Sequence, residues 1–291
     1  MGIPPIYPDN EVIMAAMDRI ENRWRLILSE TNSGAWNMAL DEAILESASA
    51  GESPPTLRLY AWEPPCLSLG YAQPFTDVDQ GSLRQKGWDL VRRPSGGRAI
   101  LHTDELTYAL IAPDNHPDFM GGVLESYRHF SRGLARTLVF LGLEPEMQNT
   151  SLIQDDFQHS PVCFQIPSIY EITVQGKKLI GSAQVRRRHG ALQHGTLPLT
   201  GDITRICQVL NYANPDERRN AATKLEATAS TVEDLLGKAP SWQRAAEAMT
   251  HAFSESLGMQ FDRDEISADE RQRAEELIAA RYHHREWITR I

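Results

Sequence analysis

Residues 168–174, with Ile169, Tyr170, Ile172 and Val174, and residues 179–185 read as two β-strands of alternating pattern. The Gln175-Gly176-Lys177 between them is a glycine-bearing connection of the kind that closes a hairpin, so antiparallel β-structure is expected here. Polar and reactive residues crowd onto this hairpin: Cys163 before it, Lys177 and Lys178 at its turn, Gly181-Ser182-Ala183 on its return, then Arg186-Arg187-Arg188-His189 and His194-Gly195. A thiol attacks only as thiolate, and with an ordinary pKa of roughly 8.5 it needs a nearby positive charge to ionise near neutrality. Lys178, expected to begin the return strand, can supply that charge to Cys163. A lone cysteine is also commonly a small buried apolar residue, and spacing alone leaves both readings open.

Composition removes several classes. A net charge of −10 lacks the basic face that phosphate neutralisation requires, which argues against nucleic acid as a partner. Cys66, Cys163 and Cys207 are too few and scattered for a disulfide framework, and no CxxC pair points to zinc, so no metal and a reducing, cytoplasmic setting are expected. Nowhere do the roughly 20 consecutive apolar residues of a membrane helix occur, and the opening residues lack signal-peptide character. The 291 residues suffice for one large domain.

Residues 1–22 read as an N-terminal extension and 23–291 as the body. A strand at 24–29 precedes a helix at 35–50, with Asp41 and Glu42 expected near its polar boundary. Short strands follow at 56–61, 66–70, 89–93, 99–101 and 106–111, then a helix at 122–141. Cys66, in an apolar strand after Pro64-Pro65, reads as core. The second half turns helical: 202–210, a capping box at Ser230 and Glu233, a helix from Ser241 to Gly258, and a second capping box at Ser267 and Glu270. Residues 212–229 are polar and read as a surface loop. The sum is an α+β protein, mixed β-sheets flanked by helices, with a helical C-terminal part.

Two further clusters carry candidate chemistry. In Arg92-Arg93-Pro94-Ser95-Gly96-Gly97-Arg98 the glycines permit close backbone approach and the arginines supply charge, so a carboxylate, phosphate or thioester carbonyl would fit there. His102 reads as a structural hydrogen-bonding group or a base, and His194 as a strand-end residue or a pocket wall. The run 186–189 reads as a solvated turn or a docking site for an acidic partner.

Three of these segments, RRPSGGRAILH (92–102), VCFQIPSIYEITVQGKKLIGSAQ (162–184) and LQHGTLPL (192–199), together resemble the biotin/lipoate protein ligase superfamily, as do Asn37 to Asp41 and Tyr282, Glu286 and Trp287. The resemblance spans about residues 24–287 and implies that superfamily's catalytic-domain fold for 23–291. The cysteine context resembles the octanoyltransferase branch, which implies an octanoyl-[acyl carrier protein]:protein N-octanoyltransferase of lipoate biosynthesis. It further implies Cys163 as nucleophile and Lys178 as its activating cation. Arg93, Ser95, Gly96, Gly97, His102, Gly181, Ser182, Ala183 and His194 would bind substrate. The implied partners are octanoyl-acyl carrier protein and lipoyl-domain acceptors such as the glycine cleavage H protein, with no cofactor and no membrane. Arg98 departs from the pattern, standing where relatives often have a small residue. Two alternatives remain beside this one: an ATP-dependent lipoate-protein ligase, and a non-catalytic acyl or lipoyl-domain binding protein.

Overall fold

The structure, a computed structural model, describes residues 22–149 and 170–291. Cys163 and all of the N-terminal extension but Asn22 lie outside the described residues.

Strand β1 (Arg23–Asn32) runs into helix α1 (Gly34–Ala50), whose start is fixed by Ser33 Oγ accepting from Trp36 N and whose end is fixed by Gly51 at φ 76°. Strand β2 (Thr56–Trp62) returns parallel to β1, and β6 (Glu105–Pro113) lies antiparallel beside it. The sheet continues through β10 (Gly190–Pro198), β9 (Lys177–Arg187), β8 (Tyr170–Val174) and β7 (Glu146–Asn149); β11 (Gln260–Arg263) closes the other edge. A smaller sheet of β3 (Cys66–Leu69), β4 (Asp89–Arg92) and β5 (Ile100–His102) has β3 at its centre. Cys66 is fully buried there, as read, and burial pushes its thiol pKa well above the ordinary value.

Strand β6 shows why the large sheet is central. Leu106, Tyr108, Leu110 and Ala112 face one core, beneath α2 (Val123–Leu141) and α4 (Trp242–Leu257), while Ala109 and Ile111 face another, beneath α1 and α5 (Ala268–Leu277). Burial on both faces makes such a strand read as a continuous apolar run instead of an alternating one. A bidentate ion pair, Arg25 to Glu270 at 2.5 and 2.9 Å, ties β1 to α5.

The expected hairpin is β8–β9. Gln175 (φ 51°) and Gly176 (φ 74°) both take positive φ, as the tight two-residue turn demands, and Lys177 already belongs to the return strand. Two readings need correction. Residues 212–229 contain helix α3 (Pro215–Thr228), capped by Asn214 with Pro215 in the first turn. It buries only Leu225, so it lacks the apolar stripe by which helices are recognised. The capping box expected at Ser230 and Glu233 sits one residue on, at Thr231 and Asp234. The box at Ser267 and Glu270 is as read. Among the described residues no helix is long and apolar enough to cross a membrane.

Candidate active site

Where the small sheet lies against the α1 side of the large one, a small, partly open cavity is lined by residues of both sheets. Met38, Tyr60 and Trp62 form one wall; β9 and β10 form another, where Gly181 and Ala183 are small, His194 and Thr196 contribute side chains, and Gly195 contributes backbone. At Gly195 a Cβ would stand 2.4 Å from the Gly181 carbonyl oxygen and 2.7 Å from the Tyr108 ring, so only glycine lets the strands approach here. Arg93 and His102, with Ser68, Ile100 and Thr107, complete the lining. A neighbouring cavity with about 510 Å³ of empty space, beneath residues 103–105, holds none of the residues expected from sequence.

The loop after β4 is shaped by its own arginines. Arg93 donates to Ser68 O (3.0 Å), Gly96 O (2.9 Å) and Arg98 O (2.7 Å). Arg92 donates to Gly70 O and Gln73 O, both at 2.7 Å, and to Ile288 O near the C-terminus. Both guanidiniums therefore organise backbone, and the Arg93 charge reaches the cavity from within that frame. Gly96 and Gly97 are exposed on the loop's outer side, whereas Ser95 is buried. A Cβ on Gly70 would overlap the Gly97 carbonyl oxygen at 1.8 Å. Gly70→Ala is thus expected to displace the loop and raise KM for a substrate bound against it about ten-fold while the chain still folds, as circular dichroism and steady-state kinetics would show.

His102 is locked in place. Its Nδ1 lies 2.5 Å from Glu105 Oε1, its Nε2 2.7 Å from Ser68 Oγ, and its ring stacks on Trp62 at 3.9 Å. Thr107 Oγ1 donates to the same Glu105 oxygen and accepts from Trp62 Nε1. Every polar group on this wall is partnered, which fixes its shape.

Behind His194 lies a constellation that sequence reading missed. Asp41 is not at a polar boundary: it is fully buried, and Glu42 nearly so. Arg58 Nη1 donates to Asp41 Oδ1 at 2.7 Å and Tyr60 OH to Oδ2 at 2.8 Å, while Arg58 Nη2 reaches Asn37 Oδ1 at 2.6 Å. His194 Nδ1 stands 3.6 Å from Asp41 Oδ2, and its Nε2 2.5 Å from Ser95 Oγ. Burial pushes the Asp41 pKa up, but Arg58 and His194 outweigh it and hold the carboxyl below its ordinary range. Burial also lowers the His194 pKa, which Asp41 only partly offsets. The signal available in sequence was Asn37 and Asp41 at i, i+4, which share a helix face; only the fold shows that this face meets an arginine.

The remaining expected residues divide. Ser182 lies on the opposite face of β9, bonded to Tyr108 OH at 2.7 Å, and is absent from the cavity wall. Lys178 is buried, 3% exposed, at the start of β9 and three residues before Gly181; its carbonyl accepts from Ser230 N. Arg186 donates to the carbonyls of Phe119, Gly121 and Gly122, so it staples the loop before α2 to β9 and leaves Arg187 and Arg188 as the exposed cations of that run.

Residues 33–254 match the family described as Lipoyl protein ligase A/B catalytic domain. Octanoyltransferase LipM of Kyrpidia tusciae is 42% identical over 270 residues, covering 91% of this chain and 97% of that protein. Among solved structures, a bi-partite lipoate protein ligase of an archaeal lipoylation system, from Thermoplasma acidophilum, has a TM-score of 0.77 at 24% identity, covering 92% of this chain and 96% of that one. It shows the same fold. A lipoate-protein ligase A bound with ATP has a TM-score of 0.74 at 25% identity, covering 92% and 98%.

Proposed function

Because the chain belongs to the lipoyl protein ligase A/B catalytic-domain family and is an octanoyltransferase, we propose that it moves octanoyl from acyl carrier protein to a lysine of a lipoyl domain, the glycine cleavage H protein among them, through a thioester on Cys163. The observation that carries this reading is the cavity: the small residues Gly181 and Ala183 line it on the strand that starts at Lys177 and Lys178, with Arg93, His102 and His194 around them. Such a lining accommodates an unbranched aliphatic chain, and Arg93 and the histidines supply polar groups around its head.

A carrier thioester is already activated, so its transfer needs no nucleotide. Cys163 thiolate attacks the carbonyl carbon, the carrier thiolate leaves, and the octanoyl-enzyme thioester is opened by the acceptor amine to give an amide. Lys178, as ammonium, favours the Cys163 thiolate and stabilises the oxyanion of each tetrahedral intermediate. Ser95, Gly96, Gly97, His102, Gly181, Ala183 and His194 bound the acyl site in this reading.

The ATP-bound ligase of similar fold favours a second reading, ATP-dependent ligation. Intact-protein mass spectrometry separates the two. Incubated with octanoyl carrier protein and no ATP, the protein is expected to gain one octanoyl group that hydroxylamine removes. No gain, with transfer appearing only on adding ATP and free octanoate, selects the ligase.

Carrier docking belongs to Arg187 and Arg188. Arg187→Glu with Arg188→Glu is expected to raise KM for the carrier roughly ten-fold and leave KM for octanoyl-pantetheine unchanged, since reversing surface charge acts on encounter with a charged partner. An equal rise for both donors removes the docking role.

A further inference from the structure

Most polar side chains that line the cavity are bonded to other groups of the protein. Tyr60 OH donates to Asp41, Trp62 Nε1 to Thr107, and Thr107 Oγ1 in turn to Glu105. Ser68 Oγ is bonded to His102 Nε2, His102 Nδ1 to Glu105, and His194 Nε2 to Ser95.

Thr196 departs from this pattern. It is 1% exposed and lines the same cavity, yet its hydroxyl has no hydrogen-bond partner. Among the described residues it is the one hydroxyl, indole or imidazole of the lining left without a bond. A buried polar atom that stays unmet is costly, and folds rarely keep one without a use for it. The sheet register shows why no neighbour meets it. Thr196 stands between Thr107 on β6 and Gly181 on β9. Thr107 Oγ1 is turned to Glu105 and Trp62, and Gly181 has no side chain.

An acyl group carries one strong hydrogen-bond acceptor, its carbonyl oxygen, which requires a donor. A threonine hydroxyl with its proton uncommitted is such a donor. The row of Thr107, Thr196 and Gly181 is also the end of the cavity nearer to Lys178 along β9. The next row, His194 with Ala183, lies two residues further on, about 7 Å away.

We propose that Thr196 Oγ1 donates a hydrogen bond to the acyl carbonyl oxygen and so fixes the head of the acyl group in the cavity, with the alkyl chain running along the sheet toward Ala183 and Met38. Thr196 takes this role on the functional reading above, in which a medium-chain acyl group occupies the cavity, and independently of where Cys163 lies.

Two unreactive ligands of equal chain length test the assignment by equilibrium binding to the full chain: N-methyloctanamide, which has the carbonyl, and octyl methyl sulfide, which lacks it. Thr196→Val keeps the shape of the side chain and removes the donor. It is expected to weaken the amide about five-fold and the sulfide less than about 1.5-fold, the difference being one neutral hydrogen bond. Thr196→Ser keeps the donor, so its amide-to-sulfide ratio should stay within about two-fold of the parent's. The urea midpoint of Thr196→Val should equal or exceed the parent's, because the free protein loses no bond with the hydroxyl. An unchanged ratio in Thr196→Val overturns the assignment, whether both ligands weaken together or neither does. A lower midpoint also overturns it, since the hydroxyl would then be bonded already in the free protein. A parent chain that binds neither ligand has no acyl site in this cavity; that outcome sinks the functional reading and the assignment with it, whereas an unchanged ratio sinks the assignment alone.

Discussion

Cys163→Ala is expected to take up no octanoyl and to lose transfer to the lipoyl domain by roughly 10³-fold or more, since a covalent route without its nucleophile keeps only what binding contributes. The chain should fold normally, because one sulfur is removed from a polar, turn-prone stretch of sequence. Lys178→Ala separates activation from chemistry. If Lys178 activates the thiol as proposed, its loss leaves a cysteine of ordinary pKa near 8.5, so thioester formation at pH 7 should fall about 10²-fold and partly recover as pH rises through that value. Single-turnover mass spectrometry across pH 6–10 reads both variants; here the range is approximately that over which a free thiol titrates. Transfer by Cys163→Ala at the parent rate would end the thioester mechanism. A flat pH response in Lys178→Ala would assign the lysine to acyl positioning.

The second large effect falls on stability. Arg58→Ala should cost about 3–5 kcal/mol, because it strands the Asp41 carboxylate in a dry interior. Both side chains are fully buried, so solvent cannot compensate. Arg58→Met with Asp41→Asn should cost clearly less than the sum of the single changes, the coupling expected of groups in one network. Urea unfolding measures all three, and a loss below about 1 kcal/mol in Arg58→Ala would show that the pair is not load-carrying. The pH dependence has a definite sign. Asp41 has its pKa lowered in the folded state, so its contribution is complete above the ordinary value of 3.8 and is lost as pH falls through the folded value. His194 is also lowered, from 6.5, so the unfolded chain takes up its proton first and the folded state loses ground as pH falls below 6.5. Both groups make acid destabilising, and stability near the site should decline in two stages.

Much of the fold was legible because its signals are local. The β8–β9 hairpin follows from Gln175-Gly176, the end of α1 from Gly51 and the start of α5 from Ser267 and Glu270. Helix α3 was missed for the converse reason: it buries a single residue, and its polar face resembles a loop's. Strand β11 was missed because its four residues are mostly exposed and carry no apolar run.

For the site the division is sharper. Motif order along the chain nominated nine substrate-binding residues; Arg93, His102, Gly181, Ala183 and His194 line one cavity, and Ser95, Gly96, Gly97 and Ser182 do not. Ser182, between two of them, was beyond that method, since adjacent residues of a strand face opposite ways. The sequence by itself determined which residue types this protein has for chemistry and which local elements carry them. The tertiary structure alone decided that Asp41, on a helix near one end of the chain, meets Arg58 on β2 and His194 on β10. The physical reason is burial: a carboxylate can remain charged inside a protein only where distant segments bring it a cation and donors, and no local pattern encodes that meeting.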